Sequence, residues 1–285
     1  MITIFTPTYN RGKLLPELFG SLLKQTTHNF EWVIVDDGSE DNTHKIVEGM
    51  YESADFSIRY FYKKNGGKHT AINLGVRKAQ GELFFILDSD DQLPAHAIED
   101  VEAAYSEIKN TPAIAGVCGY IAHRDGRVIG HPMVASDANT IDLRYKLGVD
   151  GDMAEVYRTD ILRKYPFPEI KGEKFCPEML VWNRIAQQYK LHIFPKVIYF
   201  RDYLAGGLTN NIIRIRMKSP VASMTTYVEM TTYDVPLSAK LRSAINYWRF
   251  WCCRKDISFP KLGTKWIVVF PIGLVLHWID LIKIR

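Results

Sequence analysis

The first half of the chain alternates short apolar segments with segments of helical periodicity. Short apolar runs bounded by polar or glycine-containing turns predict buried strands at 2–5, 32–35, 58–62 and 83–87. Apolar residues at helical spacing predict helices between and after these strands, at 14–23, 46–50, 70–79 and 94–109. Because strands alternate with helices, we expect an α/β fold with a mostly parallel central sheet and helices on both faces.

The second half is less regular and ends in a helical region. Strands are predicted at 113–119, 153–157 and 193–199, and helices at 178–188, 215–229 and 238–253. The last apolar stretch, 266–279, is interrupted by Pro271 and Gly273 and is shorter than the roughly 20 residues that a membrane-spanning helix needs. We therefore predict a main domain over 1–210, with halves 1–115 and 116–210, followed by a helical C-terminal extension over 211–285.

Composition and cysteine usage narrow the class of protein. Hydrophobic residues make up 47% of the 285 residues and charged residues 24%, proportions that are typical of a packed globular protein. Two of the four cysteines, Cys252 and Cys253, are adjacent, which favours neither a disulfide framework nor a zinc site and fits a reducing compartment. The start of the chain lacks the basic and then apolar pattern of a signal peptide. We therefore expect a cytoplasmic orientation.

The net charge of +4 is distributed unevenly along the chain. From Arg201 to the end there are 13 Lys and Arg against 5 Asp and Glu, whereas the first 200 residues contain more acids than bases. A basic, aromatic C-terminal region indicates an anionic partner or, alternatively, a solvated basic face. No nucleic-acid-binding motif accompanies these basic residues, so we expect no nucleic-acid partner.

Polar clusters follow three of the four predicted strands in the first half. They are Thr6-Pro7-Thr8-Tyr9-Asn10-Arg11, Asp36-Asp37-Gly38-Ser39 and Asp88-Ser89-Asp90-Asp91. Ligands of such sheets bind beyond the carboxyl ends of the strands, so we expect the clusters to converge there. Asp88 and Asp90 suit a hard divalent cation, Mg²⁺ or Mn²⁺. Asp36 and Asp37 suit hydrogen bonds to a nucleobase or to ribose, and the Asn-Gly-Gly-Lys-His loop at 65–69 suits a base or a pyrophosphate.

The ordered set of motifs resembles a known enzyme family. Pro-Thr-Tyr-Asn-Arg, Val-Asp-Asp-Gly-Ser, Gly-Lys-His-Thr-Ala-Ile-Asn and Leu-Asp-Ser-Asp-Asp occur here in the order typical of inverting family-2 glycosyltransferases, which have the GT-A fold. The resemblance is strong over 1–115 and weaker to about 210, through Phe167-Pro168, the segment 172–178 and Gly206-Gly207-Leu208-Thr209. It implies a nucleotide-sugar donor, a divalent metal ion and transfer with inversion at the anomeric carbon.

The resemblance also assigns roles to individual residues. It implies that the donor is bound by Pro7, Thr8, Tyr9, Arg11, Asp36, Asp37, Lys68, Asp88 and Ser89. Asp88 and Asp90 match the metal-binding acidic motif, with Asp90 as the direct ligand. No third metal ligand is identified; His131, His192 and His277 are candidates only by elimination, and a surface or core position is the alternative for each.

Inverting transfer requires a general base that removes the proton of the acceptor hydroxyl. The resemblance places this base near the start of a helix beyond the donor-binding half, within a pair of acids. Glu178 matches, although Met179 stands where the second acid is expected. Glu173, Asp152 or another acid are the alternatives for the base; Asp152 is otherwise a candidate for contact with the sugar or the acceptor, and Glu173 for contact with the acceptor. A structural alternative for Glu178 is favourable interaction with the helix dipole.

The resemblance thus implies a glycosyltransferase of the hexosyltransferase type that moves a sugar from a UDP-sugar to a glycan or lipid-linked acceptor in surface polysaccharide synthesis. One alternative is a sugar nucleotidyltransferase, but such enzymes have a glycine-rich basic loop after the first strand, where this chain has Thr-Pro-Thr-Tyr-Asn. A second alternative is a non-catalytic nucleotide-sugar-binding module, which the presence of Asp88, Asp90 and Glu178 opposes.

The C-terminal region predicts contact with an anionic membrane surface. Basic residues precede the apolar stretch 266–279, and Trp266 and Trp278 suit the headgroup boundary. We expect an interfacial segment and a peripheral position on the inner face of the plasma membrane. The alternatives are that the stretch packs on the main domain or forms an oligomer contact.

Overall fold

A computed structural model describes residues 1–131, 135–201, 211–254 and 258–284. Within these ranges eight strands form one sheet in the order β3-β2-β1-β4-β7-β5-β8-β6. The strands are β1 (Ile2–Thr8), β2 (Phe30–Asp36), β3 (Ser57–Tyr62), β4 (Leu83–Ile86), β5 (Ile114–Ala122), β6 (Ser136–Ala138), β7 (Met153–Arg158) and β8 (Lys190–Phe200).

Eleven α-helices accompany the sheet in the described part of the chain. They are α1 (Leu15–Leu23), α2 (Thr43–Glu48), α3 (Lys68–Lys78), α4 (Ala97–Ile108), α5 (Thr140–Tyr145), α6 (Thr159–Lys164), α7 (Met179–Ala186), α8 (Ile212–Lys218), α9 (Pro220–Met230), α10 (Leu237–Trp251) and α11 (Phe270–Ile284). Short 3₁₀ helices occupy Gly12–Leu14, Tyr51–Ser53 and Thr264–Val269.

The four strands predicted in the first half are confirmed, and they pair in parallel. β1 lies between β2 and β4, and β3 flanks β2. All seven residues of β1 and of β2 are buried, because parallel strands covered by helices on both faces present neither face to water. Leu18 and Leu22 of α1 pack in the core cluster of Ile4. On the other face, a Cβ built at Gly75 of α3 would lie 2.2 Å from the Phe5 ring, so only glycine permits this approach.

The second half of the sheet is mixed. β7 is antiparallel to β4 and to β5, whereas β5 and β8 are parallel. The predicted strands at 113–119, 153–157 and 193–199 are confirmed as β5, β7 and β8. β6 was not predicted, because its three residues are too short for an apolar pattern.

One predicted helix is broken in two. The sequence predicts a single helix over 215–229, but α8 ends at Lys218 and α9 begins at Pro220. Ser219 between them has an extended φ of −130° and ψ of 61°, because the ring of a following proline disfavours the helical conformation of the preceding residue.

A buried carboxylate joins the strands of the first half. Glu31 of β2 accepts hydrogen bonds from Thr3 Oγ1 at 2.6 Å, from Arg59 Nη1 at 2.7 Å and from the backbone N–H of Gln80 at 2.6 Å. Burial raises the pKa of Glu31, but these hydrogen bonds and the charge of Arg59 outweigh it and hold the pKa below its ordinary value.

The described residues form two compact units. The first contains residues 1–166 and 182–201, and the second contains 167–181 together with the described residues from 211 onward. The sequence did not predict that 167–181 would group with the C-terminal region. The predicted boundary at 210 and the motif at Gly206-Gly207-Leu208-Thr209 lie outside the described residues.

The second unit has its own aromatic core. Tyr227 of α9 stacks on Phe250 of α10 with ring centroids 6.0 Å apart, and both pack with Met224 and Tyr247. Beyond α10, the segment Thr264–Lys283 is helical and, by length and composition alone, could cross a membrane. The expectation that this stretch is too short for a span was therefore wrong by length, because the helical segment extends beyond 266–279 at both ends.

Two local features accommodate Pro271 and Gly273 in this segment. Pro271 is the second residue of α11, where the N–H that proline lacks has no partner within a helix. Gly273 allows a close approach to α10, because a Cβ there would lie 2.4 Å from Cβ of Trp248.

Candidate active site

The three predicted polar clusters lie at the carboxyl ends of β1, β2 and β4. Thr8 at the end of β1 is in register with Asp36 at the end of β2. The N–H of Asp37 donates to the carbonyl of Thr8 at 2.8 Å. Among the described residues, the buried Thr8 Oγ1 is a side-chain oxygen with no hydrogen-bond partner. The predicted convergence of the first two clusters is thus confirmed, and Pro7 and Thr8 are buried while Tyr9 is exposed.

The loops after β1 and β2 are joined by hydrogen bonds. Asn10, which has a positive φ of 52°, donates its N–H to Ser39 Oγ at 2.8 Å, and its side-chain oxygen accepts from the N–H of Glu40 at 2.8 Å. Asparagine tolerates this left-handed conformation better than most residues. These bonds hold the Thr-Pro-Thr-Tyr-Asn loop against the Asp-Asp-Gly-Ser loop.

Asp36 and Asp37 are both buried, and both accept hydrogen bonds from the protein. Asp36 accepts from the N–H of Ser39 at 2.7 Å and from the hydroxyl of Tyr60 at 2.5 Å. Burial, together with this bond to a carboxylate, raises the pKa of Tyr60 above its ordinary value. The hydroxyl of Tyr60 therefore stays protonated and holds Asp36 in place.

Asp37 organises the glycine loop. Its Oδ1 accepts from Lys63 Nζ at 2.6 Å and from the N–H of Gly66 at 2.9 Å, and its Oδ2 accepts from the N–H of Gly67 at 2.6 Å. Gly67 has a positive φ of 94° and precedes α3. Lys63 was not singled out in the sequence, and its proximity to Asp37 follows from the parallel pairing of β2 with β3.

The acidic pair after β4 is neutralised by two of the predicted donor-binding cations. Lys68 Nζ lies 2.7 Å from Asp88 Oδ1, and Arg11 Nη1 lies 2.8 Å from Asp90 Oδ1. Burial raises the pKa of Asp88, but the charge of Lys68 and further cations outweigh it and hold the pKa below its ordinary value. Ser89 between the two acids is buried. The structure therefore unites the loops after β1 and β4 with the start of α3.

A second network behind this pair was missed in the sequence. Arg201, directly after β8, lies 3.2 Å from Asp91 Oδ2 through Nε and 2.8 Å from Asp152 Oδ2 through Nη1. The hydroxyl of Tyr199 donates to Asp91 Oδ2 at 2.6 Å and accepts from the N–H of Asp88 at 3.1 Å. Arg201 thereby connects Asp152, a predicted acceptor residue, to the acidic cluster. Burial and the neighbouring acids raise the pKa of Asp91 to about 6.

The donor set at this edge suits a divalent cation bound together with a substrate. The described residues contain no group of three His, Cys, Asp or Glu side chains arranged to hold a metal ion. Mg²⁺ is commonly held by one or two carboxylates together with substrate phosphates and waters, and Asp88 and Asp90 supply two such carboxylates. Two of the histidines considered as third ligands have other partners in the first unit: His131 pairs with Asp150 and His192 with Asp137.

The candidate base and its alternative belong to the second unit. Glu178 immediately precedes α7, and its carbonyl accepts the N–H of Val181 at 3.0 Å. The carboxylate of Glu173 accepts from the backbone N–H groups of Val221 and Ala222 at 2.7 and 2.9 Å. Glu173 thus stabilises the N-terminus of α9, a structural role that the sequence did not reveal. The predicted roles of Glu178 as base and of Glu173 toward the acceptor stay predictions.

Comparison with known proteins identifies a family that matches the chain and several related sequences. A sequence model described as glycosyl transferase family 2 matches residues 3–165. The glycosyltransferase GlyG of Streptococcus pneumoniae is 36% identical over 121 residues, which cover 42% of this chain and 39% of GlyG. An uncharacterized glycosyltransferase of Rickettsia conorii is 37% identical over 114 residues, covering 40% of this chain and 18% of the relative. The match thus spans less than half of the length of either relative.

Solved structures share the fold. TarS of S. aureus, residues 1–349 in complex with UDP-GlcNAc, has a TM-score of 0.61 at 22% identity, covering 96% of this chain and 79% of that one. The mannosyltransferase PcManGT of Pyrobaculum calidifontis, in complex with GDP-Man and Mn²⁺, has a TM-score of 0.58 at 18% identity, covering 96% and 73%. The predicted GT-A fold is therefore confirmed.

Proposed function

Since the chain belongs to glycosyl transferase family 2, we propose that it transfers a sugar from a UDP-sugar to a glycan or lipid-linked acceptor, with inversion, in the synthesis of a surface polysaccharide. The observation that carries this proposal is the pairing of Asp88 and Asp90 with Lys68 and Arg11 at the sheet edge where the nucleotide loops meet. The nucleotide-sugar complexes of TarS and PcManGT support a donor of this class.

The site divides into a nucleoside end and a phosphate end. At the nucleoside end, Asp36 and the loop Pro7-Thr8-Tyr9 receive the base and ribose, and Asp37 holds the glycine loop beside them. At the phosphate end, Lys68 and Arg11 are cations suited to the diphosphate. Both ends lie in the first unit, which contains all of the residues that the family model matches.

Asp88 and Asp90 would hold Mn²⁺ or Mg²⁺ in the proposed enzyme. A cation bound there would neutralise the charge that develops on the leaving diphosphate. The two carboxylates fit this role because the diphosphate and water supply the remaining oxygen ligands. Mn²⁺ in the PcManGT complex supports the choice of metal.

Glu178 is the proposed general base. It removes the proton of the acceptor hydroxyl, whose oxygen attacks the anomeric carbon on the face opposite the diphosphate. Attack on that face inverts the anomeric configuration. Asp152, held by Arg201 beside the acidic cluster, is proposed to contact the sugar or the acceptor.

The proposed location is cytoplasmic. Cys118, Cys176, Cys252 and Cys253 all lie in the described part of the chain, and none of them forms a disulfide there. Cysteines that form no disulfide suit a compartment that keeps thiols reduced.

The test measures nucleotide release from a panel of UDP-, GDP-, TDP- and CMP-sugars, with EDTA or with Mn²⁺. We expect metal-dependent release of UDP, and its loss by orders of magnitude in Asp90→Asn with unchanged thermal stability. Asp125→Asn, a change at an exposed acid that pairs with Arg127, serves as the matched control and is expected to behave as wild type.

Each other outcome points to a different function. Full activity of folded Asp90→Asn in metal-depleted buffer contradicts the metal site. Binding of a UDP-sugar without its consumption indicates a binding module. Release of pyrophosphate from a nucleoside triphosphate and a sugar phosphate indicates a nucleotidyltransferase.

A further inference from the structure

The C-terminal helix Thr264–Lys283 presents its aliphatic side chains to solvent. Val268 and Ile282 are each 73% exposed, and Ile272, Val275 and Ile279 between them are also exposed. These five residues are spaced four, three, four and three apart, so they lie on one side of the helix. Trp278 beside them is 60% exposed. We call these six residues the apolar face.

The opposite side of the same helix is buried and partly polar. Asp280 is 5% exposed, and its two oxygens each lie 2.6 Å from a guanidinium nitrogen of Arg249 on α10. His277 is buried beside Cys253, with Nδ1 and Sγ 3.7 Å apart. A helix of a protein surrounded by water has the reverse arrangement, with apolar residues inside and polar residues outside.

The exposed charged residues that flank the apolar face within 258–284 are all lysines. Lys261 and Lys265 precede it and Lys283 follows it, and all three are exposed. Asp280 is the single acidic residue within 258–284, and its charge is neutralised by the ion pair with Arg249. A row of apolar side chains with lysines at both ends complements the hydrocarbon and the headgroups of an anionic bilayer.

The contacts with α10 determine how the helix would meet a bilayer. Gly273 allows close packing on Trp248, and Asp280 is bound by Arg249, so one side of the helix is fixed to α10. α10 also carries Lys240 and Arg242, which cannot enter hydrocarbon without a large cost. A transmembrane position would require either that α10 enters the bilayer or that Asp280 is left without its partner.

We propose that the apolar face lies in the headgroup boundary of an anionic lipid bilayer with the helix axis parallel to the surface. In this proposal the apolar face is covered by lipid and not by a second protein chain. In the proposed reaction such docking would place the enzyme beside a lipid-linked acceptor, but the inference rests on the second unit alone and does not require the activity.

The first experiment measures flotation of the full chain with vesicles. The vesicles contain phosphatidylcholine with or without phosphatidylglycerol. The test variant carries Val268→Glu, Val275→Glu and Ile282→Glu, three changes at exposed positions that leave the packing on α10 intact. The matched control carries three exposed apolar-to-Glu changes in the first unit, Leu23→Glu, Tyr51→Glu and Leu147→Glu.

We expect wild type and the control variant to float with anionic vesicles. The partition coefficient of the test variant onto these vesicles should be at least tenfold lower. Removal of phosphatidylglycerol should weaken wild-type binding at least tenfold, because each of three lysines loses attraction to the surface. Equal flotation of test variant and wild type overturns the proposal. A wild type that does not float with either kind of vesicle also overturns it. If that wild type is a dimer in the absence of lipid and the test variant is a monomer, the apolar face is instead a contact between two chains.

A depth measurement distinguishes surface docking from spanning. Spin labels on Val268→Cys, Val275→Cys and Ile282→Cys, each with Cys252→Ser and Cys253→Ser, report their depth in the vesicle. Parallel docking predicts similar shallow depths for the three labels. A deepest label at 275 with shallow labels at 268 and 282 contradicts the proposed orientation and indicates a spanning helix.

Discussion

Asp37 offers the sharpest test of how the nucleotide site is built. Its carboxylate accepts three hydrogen bonds, from Lys63 Nζ and from the N–H groups of Gly66 and Gly67. In Asp37→Asn one of the two oxygens becomes an NH₂ group, which has no acceptor facing it in either orientation. We expect the loop of Gly66 and Gly67 to lose its anchor while the strands on either side stay folded.

The expected magnitude follows from the number and the charge of these bonds. Each hydrogen bond to an ionised group contributes about 1.5–3 kcal/mol, and removal of one partner from a buried pair costs about 3–5 kcal/mol. The Lys63 side chain is 21% exposed, so we take the lower end, about 3 kcal/mol. If the loop opens locally, this value corresponds to an increase of about 10²-fold in amide exchange.

The assay is hydrogen exchange of the peptide that contains Gly66 and Gly67, with UDP affinity measured in parallel. Lys63→Met is the matched variant. It removes the cation but leaves both N–H bonds to Asp37, so it should raise the exchange of Gly66 and Gly67 less than Asp37→Asn does. Because Asp37 and Lys63 contact each other, their double variant should be less than additive. Unchanged exchange in Asp37→Asn with lost UDP binding would refute the reasoning and assign Asp37 directly to the nucleotide.

Three further predictions concern other parts of the chain. Glu178→Gln should lower kcat by about 10²–10⁴-fold with unchanged stability, whereas Glu173→Gln should cost about 1–2 kcal/mol of stability through α9; the reverse pattern in kcat and thermal melts would transfer the role of base to Glu173. Glu31 has a lowered pKa, so its contribution is present above its ordinary value of 4.5 and is lost as the pH falls through the lowered value; urea denaturation should therefore show the difference in stability between wild type and Glu31→Gln narrowing below pH 4.5. Arg249→Leu should destabilise the second unit by about 3–5 kcal/mol, because Asp280 is then buried without its partner, and Arg249→Leu with Asp280→Leu should recover most of this in thermal melts.

The strands that carry the site could be predicted because their signal is local. β1, β2 and β4 are buried for most of their length, so each appears in the sequence as a short, mainly apolar run followed by polar residues. The polar clusters at their ends then follow from the rule for parallel sheets. Asp88 and Asp90 could be identified in this way without any knowledge of their partners.

The partners themselves could not be predicted, because they depend on strand order. Tyr199 contacts Asp88 across 111 positions of sequence, and Arg201 reaches Asp91 and Asp152 only because β8 returns to the same sheet. No local pattern specifies that β7 inserts antiparallel between β4 and β5. The break between α8 and α9 at Ser219, unlike these contacts, could have been predicted, because Pro220 follows directly in the sequence.

The charges at the sheet edge explain how so many acids coexist in one fold. Three carboxylates lie within four residues, at Asp88, Asp90 and Asp91, and each has a cation beside it, namely Lys68, Arg11 and Arg201. Asp152 shares Arg201 with Asp91, so four carboxylates face three cations and the net charge is −1. A divalent cation alone would reverse the sign of this charge, and a diphosphate alone would make it more negative. Only the two together leave this charge nearly unchanged, with the cation taking the carboxylates and the diphosphate taking Lys68 and Arg11. The arrangement of charges therefore favours joint binding of metal and donor in the proposed reaction.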